Sequence, residues 1–307
     1  MPHPAHFPSG GVDLVLIQQI INGMALGGIY SLIAIGWTVV FGIVGLINWT
    51  HGEVFMIGAF VGFFLVSVYK VNLIAALIIA MLVSGFVALM IDRLAYRPLR
   101  TSPKLASFIT ALGASTFLRY LAALVWEPHA RAYPATFDFT VMHIPFGEST
   151  LTINSLQLFI FAVTLIIMAL LQWFITRTMM GKAMLAASQD FEMVGLMGVE
   201  VEKLVMLTFG VSGMLGGAAG VLVGVLYAID PMMGSMAGLK GWAVAVLGGV
   251  GSISGAMIAG ILLGIAENVS SAYVSSGYRD AIAFVAMILT LIIKPTGLMG
   301  FKFEEKV

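Results

Sequence analysis

Long apolar runs divide this sequence, and they constrain the possible folds more than any other feature. A helix that crosses a bilayer needs about 20 apolar residues. Eight segments approach or exceed that length: 20–47, 54–69, 73–94, 105–126, 156–176, 204–229, 239–269 and 281–293. Only 10% of the residues are charged, whereas soluble domains carry about 25%. The pattern predicts an all-α, polytopic bundle of about eight membrane spans.

The run 20–47 is too long for a single straight span, and a break follows it. Residues 48–53 read Asn-Trp-Thr-His-Gly-Glu, after which apolar residues resume at Val54. Thr50 and Glu53 have the spacing of a capping box, in which two side chains satisfy backbone N–H groups at a helix start. The sequence therefore predicts a broken helix that restarts here.

The run 239–269 also exceeds one span. Residues 248–252 read Gly-Gly-Val-Gly-Ser, and glycine lets the backbone turn where other residues are strained. Ser252 and Ser254 are candidate helix caps. Two interruptions at comparable places predict broken or re-entrant helices in two related halves.

Basic residues concentrate in three polar segments, 92–104, 177–203 and 294–306, whereas the loop 127–154 contains only Arg131. By the positive-inside rule, the three basic segments face the cytoplasm and the loop faces outward. The number of crossings between the second and third basic segments must then be even, although three apolar runs lie between them. We therefore expect one run to enter and leave on the same side, and the glycine-rich run is the candidate.

The sequence predicts one membrane domain at 17–300, between a flexible N-terminal tail at 1–16 and a cytoplasmic C-terminal tail at 301–307. The N-terminal residues lack the basic region of a signal peptide, so no cleaved signal is expected. Small residues spaced four apart allow helix backbones to approach closely in lipid. Such steps occur at Gly216, Gly220 and Gly224, at Gly251 and Gly255, and at Gly260 and Gly264.

Ionisable residues inside apolar runs are costly and are therefore candidates for function. His51 and Glu53 flank the first break, where they either stabilise the broken helix or line a transport pathway. Arg119 is expected to pair internally or to reach the interface, and Glu267 to lie near the outer interface. The candidate pathway residues are Asn48, Thr50, His51, Glu53, Gly249, Gly251 and Ser252.

Several classes of function lack the residues that they require. The chain has no cysteine and a formal net charge of zero, which gives no thiolate metal site and no basic surface for nucleic acid. The histidines are too dispersed in sequence for a metal site or a buried Ser–His pair. No P-loop motif is present. We therefore expect neither an enzyme nor a bound cofactor or metal.

The segment 177–203 is the longest well-charged interruption of the apolar sequence. If 182–196 is one helix, Met184, Ala187, Phe191 and Val194 form an apolar stripe, as in an amphipathic helix at a membrane surface. Two interpretations remain open. The segment is either a polar connector or an element that docks onto a cytoplasmic partner.

Several blocks resemble the LivH-type permease subunit of branched-chain amino acid ABC transporters, in the same order along the chain. They are 23–36, 48–58, 95–100, 181–183, 196–199, 245–253 and 295–300. Trp49, Thr50 and Leu185 depart from the pattern of such permeases. The departures leave the substrate open between branched-chain or other hydrophobic amino acids and urea or amides. A separate alternative is an ion-coupled transporter that works alone through Glu53 or Glu267.

The resemblance implies a multi-pass protein of the bacterial inner membrane, and it implies partners. They are a LivM-like second permease, two LivG/LivF-like subunits that bind the ATP, a periplasmic substrate-binding protein, and the lipid of the membrane. It also implies that 177–203 couples the permease to an ATPase subunit. The expected coupling residues are Lys182, Met184, Ala187, Asp190, Phe191, Val194 and Gly198.

Overall fold

The computed structural model of the protein describes residues 9–100, 102–134, 140–146 and 149–300. The predicted C-terminal tail and residues 1–8 of the predicted N-terminal tail lie outside this range. The described helices are α1 (Ser9–Val44), α2 (His51–Ser67), α3 (Leu73–Ile91), α4 (Lys104–Trp126), α5 (Ser155–Arg177), α6 (Met179–Ala187), α7 (Phe191–Leu196), α8 (Val201–Leu226), α9 (Met233–Gly248), α10 (Ile253–Tyr273) and α11 (Arg279–Ile293). Strands β1 (Val141–Phe146) and β2 (Ser149–Asn154) form an antiparallel hairpin. Short helical turns occupy Asp92–Tyr96, Arg97–Leu99 and Ser276–Tyr278.

The predicted helical membrane bundle is confirmed. Within the described ranges, 7 helices are long and apolar enough to cross a membrane. Helix α2 has 17 residues and α9 has 16, so both are shorter than a full span. The run 239–269 divides between α9 and α10, and α1 extends back to Ser9, inside the predicted tail.

The bundle has two distinct ends. We call the first the basic end. Here Arg97 forms an ion pair of 2.6 Å with Glu202 at the start of α8, and this pair connects the basic segments 92–104 and 177–203. The backbone N–H of Leu298 donates to Leu247 at the same end. At the other, the hairpin end, the N–H of Thr152 donates to Gln18 of α1. The basic segments thus share one end, as the orientation predicted from sequence requires.

Small residues bring the long helices into close contact, and a predicted glycine takes part: a Cβ on Gly260 of α10 would lie 2.5 Å from the backbone nitrogen of Ser31 in α1. A Cβ on Gly27 of α1 would lie 2.6 Å from the Cα of Ile261 in α10. On the other side of the bundle, a Cβ on Gly217 of α8 would lie 2.6 Å from the Cβ of Ser84 in α3. Real Cβ atoms do not approach this closely. Replacement of these glycines would therefore push the helices apart.

The helices of the two halves run in opposite directions through the bundle. The break in the second half that corresponds to the first break lies elsewhere than predicted. Helix α1 runs to the basic end and residues 45–50 return into the bundle, where α2 begins. Helix α8 runs to the hairpin end and residues 227–232 return into the bundle, where α9 begins. The counterpart of the first break is therefore 227–232. The predicted counterpart, 248–252, is a tight turn between α9 and α10, made possible by positive φ at Gly249 and Gly251.

The short helices α2 and α9 begin against each other. A Cβ on Gly234 would lie 2.5 Å from the carbonyl oxygen of Gly52 and 2.8 Å from the carboxylate of Glu53. From this crossing α2 runs towards the hairpin end and α9 towards the basic end. The crossing places the side chains of residues 48–53 at the centre of the protein.

Candidate functional site

The first break is held by hydrogen bonds that differ from the predicted capping box. The Thr50 hydroxyl donates to the side-chain oxygen of Asn48 at 2.6 Å, and the Tyr96 hydroxyl donates to the same oxygen at 3.1 Å. Thr50 makes no cap hydrogen bond to α2. The prediction was wrong because the hydroxyl of Thr50 turns to Asn48 and the carboxylate of Glu53 turns to another helix.

Glu53 forms a buried ion pair with Arg119 of α4. The guanidinium donates to Glu53 Oε1 from Nη2 at 2.7 Å and from Nε at 3.1 Å, and the Ser115 hydroxyl donates at 3.0 Å. Glu53 is 1% exposed. The expectation that Arg119 pairs internally is confirmed, and the pair ties the start of α2 to the middle of α4.

His51 fills the space between the long helices. Its Nδ1 lies 3.2 Å from the hydroxyl oxygen of Ser212, and its ring packs edge-on against Trp37. A Cβ on Gly36 would overlap the imidazole. His51 therefore occupies a position that only a glycine on α1 leaves open, and its contacts are those of a packing residue.

The predicted pathway residues do not form one site. Gly251 lies against Gly42 of α1, whereas His51 lies against Gly36, and six residues along a helix correspond to about 9 Å. Gly249 packs against Gly300 at the basic end. Ser252 caps α10, because its hydroxyl oxygen accepts from the N–H of Gly255 at 3.1 Å. The Ser252 cap is therefore confirmed, while Gly249, Gly251 and Ser252 lie apart from residues 48–53.

A cavity that the sequence analysis missed lies between α1, α2, α8, α9 and α11. It has a volume of about 300 Å³, and we call it the charged cavity. Its lining combines apolar side chains with ionisable ones. The residues are Leu26, Tyr30, Ile33, Phe55, Val223, Tyr227, Ala228, Met233, Met236, Ala237, Lys240, Arg279 and Asp280.

Lys240 is the centre of the charges at this cavity. Its ammonium lies 2.9 Å from Glu267 Oε1 and 2.7 Å from Asp280 Oδ1, and it donates to the Tyr30 hydroxyl at 3.1 Å. The side chain is only 8% exposed. Because an ionisable residue within an apolar run is a signal in itself, the position of Lys240 in 239–269 could have identified it.

Glu267 lies behind the cavity wall, in the last two turns of α10, and its place near the outer interface stays a prediction. It is fully buried, accepts from the Tyr30 hydroxyl at 2.8 Å, and pairs with Arg279 at 3.2 Å. Buried charges need such partners because their desolvation is costly. The carboxylate thus holds Lys240 and Arg279 on one side of the cavity.

The segment 177–203 forms two short helices, so the predicted single helix at 182–196 is wrong. The chain leaves the helical conformation before α7, where the Asp190 carboxylate accepts from the N–H of Met193 at 3.1 Å as an N-cap. Asp at an N-cap competes with a continuous helix, because it satisfies a new helix start. Gly198 follows the C-cap of α7 with a φ of +85°.

The predicted apolar stripe divides between two surfaces. Met184, Ala187 and Val194 are buried against the rest of the chain, whereas Phe191 and Lys182 are exposed. The exposed apolar residues form what we call the outer face of α6 and α7. Its members are Met179, Met180, Leu185, Phe191, Met193, Leu196 and Met197.

Comparison with known proteins identifies the family of this chain. The family model described as "Branched-chain amino acid transport system / permease component" matches residues 19–291. The chain belongs to this permease family. The match covers every helix from α2 to α10 and most of α1 and α11.

Individual relatives of the permease match over nearly their whole length. The chain is 40% identical over 303 residues to the "High-affinity branched-chain amino acid transport system permease protein LivH" of Salmonella typhimurium, which covers 96% of this chain and 98% of that protein. LivH of Escherichia coli is 40% identical over 305 residues, with the same shares. BraD of Pseudomonas aeruginosa, which carries the same description, is 38% identical over 303 residues, or 95% of this permease and 98% of BraD.

Proposed function

We propose that this permease is the membrane subunit of an ATP-driven importer of branched-chain amino acids in a bacterial inner membrane. The observation that carries the proposal is the identity of 40% with LivH over 96% of the chain. The sequence contains no P-loop motif, so the energy of ATP hydrolysis has to come from other subunits. The proposed partners are a LivM-like permease, two LivG/LivF-like ATP-binding subunits and a periplasmic substrate-binding protein.

Transport by cells tests the proposal directly. Deletion of the gene from its own organism is expected to abolish high-affinity uptake of labelled leucine, and the restored gene is expected to return it. Urea uptake, measured in parallel, is the control and is expected to stay unchanged. Loss of urea uptake with unchanged leucine uptake would assign the permease to amide transport.

A second measurement separates ATP-driven uptake from ion-coupled uptake. The purified chain alone, reconstituted in vesicles under a proton or sodium gradient, is expected not to accumulate leucine. The chain with its partner subunits and internal ATP is expected to accumulate it. Accumulation by the chain alone would contradict the proposal.

The outer face of α6 and α7 is the proposed contact with an ATP-binding subunit. Leu196 is 83% exposed and Met193 is 56% exposed, although both are apolar and lie at the basic end. Contiguous exposed apolar residues of this kind are typical of protein interfaces. The buried Val194, between them in sequence, contributes to the stability of the permease itself.

Substitutions at these positions distinguish docking from folding. Leu196→Ser is expected to reduce leucine-stimulated ATPase activity by roughly tenfold, equivalent to about 1.4 kcal/mol, without changing thermal stability. Val194→Ser is expected to lower stability by about 1–3 kcal/mol, because a buried apolar side chain is replaced by a hydroxyl. ATPase assays and thermal unfolding of the purified complex measure the two effects. Equal loss of stability in both variants would remove the docking role.

A further inference from the structure

The charged cavity has the chemical features of a binding site for a zwitterion with an apolar side chain. We propose that it binds a free aliphatic α-amino acid during transport, an inference that rests on the proposed function. The ligand carboxylate binds Lys240 and Arg279, and its ammonium group binds Asp280. Its side chain lies on the apolar wall.

The positions of the charges support this orientation. Lys240 and Arg279 both pair with Glu267, at 2.9 Å and 3.2 Å, from the side away from the cavity. The ammonium of Lys240 already contacts Glu267, Asp280 and Tyr30, so a ligand carboxylate would take the place of Asp280 and leave Asp280 for the ligand ammonium. Asp280 is 54% exposed and lies 2.7 Å from Lys240, so its carboxylate is accessible to a cation from the cavity. Opposite charges are therefore available within the reach of one small molecule.

The charge balance favours a ligand with no net charge. The cations Lys240 and Arg279 are matched by the carboxylates of Glu267 and Asp280, so these four groups sum to zero. A zwitterion preserves this balance, whereas an anion or a cation adds an uncompensated charge next to the buried Lys240 and Glu267. Urea carries no charge and replaces none of the ion pairs that it would interrupt. The same cavity thus favours amino acids over amides.

The apolar wall accounts for the side chain of the ligand. Leu26, Ile33, Phe55, Val223 and Met233 line the cavity together with the charged groups. They come from α1, α2, α8 and α9, so the wall spans both halves of the bundle. The volume of about 300 Å³ lies at the lower end of the range of small-ligand sites, roughly 300–1,000 Å³. It is large enough for a free amino acid with a branched aliphatic side chain.

Cysteine labelling tests the site in the assembled transporter. The chain contains no cysteine, so a single introduced thiol reports one position. Met236→Cys places it in the cavity lining, where Met236 is 42% exposed. Val274→Cys, at a residue 70% exposed just after α10, is the matched control. Labelling by a water-soluble maleimide is measured in vesicles that contain the whole complex without ATP.

L-Leucine at about ten times its dissociation constant is expected to slow labelling of Met236→Cys roughly tenfold, with no effect on Val274→Cys. 4-Methylpentanoate, which lacks the ammonium group, and leucinamide, which lacks the carboxylate, are expected to protect at roughly tenfold higher concentrations. Urea is expected to give no protection. Equal protection by all three leucine-related compounds would overturn the proposed recognition of charge.

A substitution at Asp280 adds a readout that a purely structural role would not change. In Asp280→Asn, leucine is expected to protect Met236→Cys no better than 4-methylpentanoate does, because the partner of the ammonium group is gone. 4-Methylpentanoate is expected to protect at an equal or lower concentration, because the variant removes the carboxylate that pairs with Lys240. If leucine and 4-methylpentanoate both lost protection to the same extent, Asp280 would only maintain the fold. If this variant does not assemble, the comparison of ligands on Met236→Cys alone still decides the proposal.

The failure of this inference is distinguishable from failure of the proposed function. If the parent complex transports leucine but leucine leaves the labelling of Met236→Cys unchanged at all concentrations, the cavity is not the site and the function stands. If the parent complex does not transport leucine, the proposed function fails, and the role of the cavity in amino acid transport fails with it.

Discussion

Replacement of Arg119 by methionine is expected to destabilise the permease by about 3–5 kcal/mol. The variant leaves the carboxylate of Glu53, which is 1% exposed, without the two guanidinium hydrogen bonds that it now accepts. Removal of one partner of a buried ion pair costs more than the pair contributes, because the remaining charge stays desolvated. The free energy of unfolding, measured by titration with a denaturing detergent, gives the effect.

Three further variants show how much of the stability loss comes from breaking the Glu53–Arg119 ion pair rather than from substitution in general. Lys203→Met removes an ion pair with Glu200 whose partners are 66% and 67% exposed, and it is expected to cost less than about 1 kcal/mol. The stability loss of Arg119→Lys is expected to lie between those of Lys203→Met and Arg119→Met, because an ammonium group keeps the charge but does not reproduce the planar geometry of a guanidinium. The double variant Glu53→Gln with Arg119→Met removes both charges and is expected to recover most of the loss. No recovery would show that Arg119 acts mainly through packing.

The apolar runs predicted the helices well because membrane thickness fixes the length of a spanning helix. They did not predict where the second break lies, since residues 227–232 sit at the end of the run 204–229. A local signal was present: Asp230 is followed by proline, and this dipeptide favours a turn. The glycine-rich sequence at 248–252 was the more conspicuous signal, but it marks a tight turn between antiparallel helices.

Pairings between distant charges were less accessible from the sequence. The expectation for Arg119 was correct in kind, but its partner depended on where the break places Glu53. Lys240, Glu267, Arg279 and Asp280 come from three helices that are separate in sequence, and periodicity within each helix does not show which side chains meet. The charged cavity is a product of tertiary packing, so the first step at which it could be recognised is the folded bundle.

The coupling segment shows how a local competition changes the exposed surface. The spacing of Met184, Ala187, Phe191 and Val194 predicted one apolar stripe, but the N-cap at Asp190 starts a new helix. The restart turns Val194 into the protein and leaves Phe191 outside. A hydrophobic pattern therefore identified an amphipathic segment without identifying which apolar residues remain available to a partner.

Replacement of Gly234 by valine is expected to destabilise the permease by about 3 kcal/mol or more. Its Cβ would lie 2.5 Å from the carbonyl oxygen of Gly52 and 2.9 Å from the carbonyl carbon, and backbone atoms at a helix start move only together with the helix. Gly113→Val is the matched control, because a Cβ at Gly113 in α4 has no atom within 4 Å. That control is expected to keep the stability of the parent. The yield of monodisperse protein and its thermal unfolding are the measurements.

A second substitution is not expected to relieve the overlap that Gly234→Val creates at this crossing. An overpacked core is often relieved by a smaller residue opposite the new side chain. Here the shortest contact is with the backbone of Gly52, which has no side chain to shorten, so a shorter residue at Glu53 would leave the overlap with the carbonyl oxygen in place. The two broken helices then have to separate, and their separation also displaces the carboxylate of Glu53 from Arg119. A Gly234→Val variant as stable as Gly113→Val would show that α2 and α9 do not meet at these glycines.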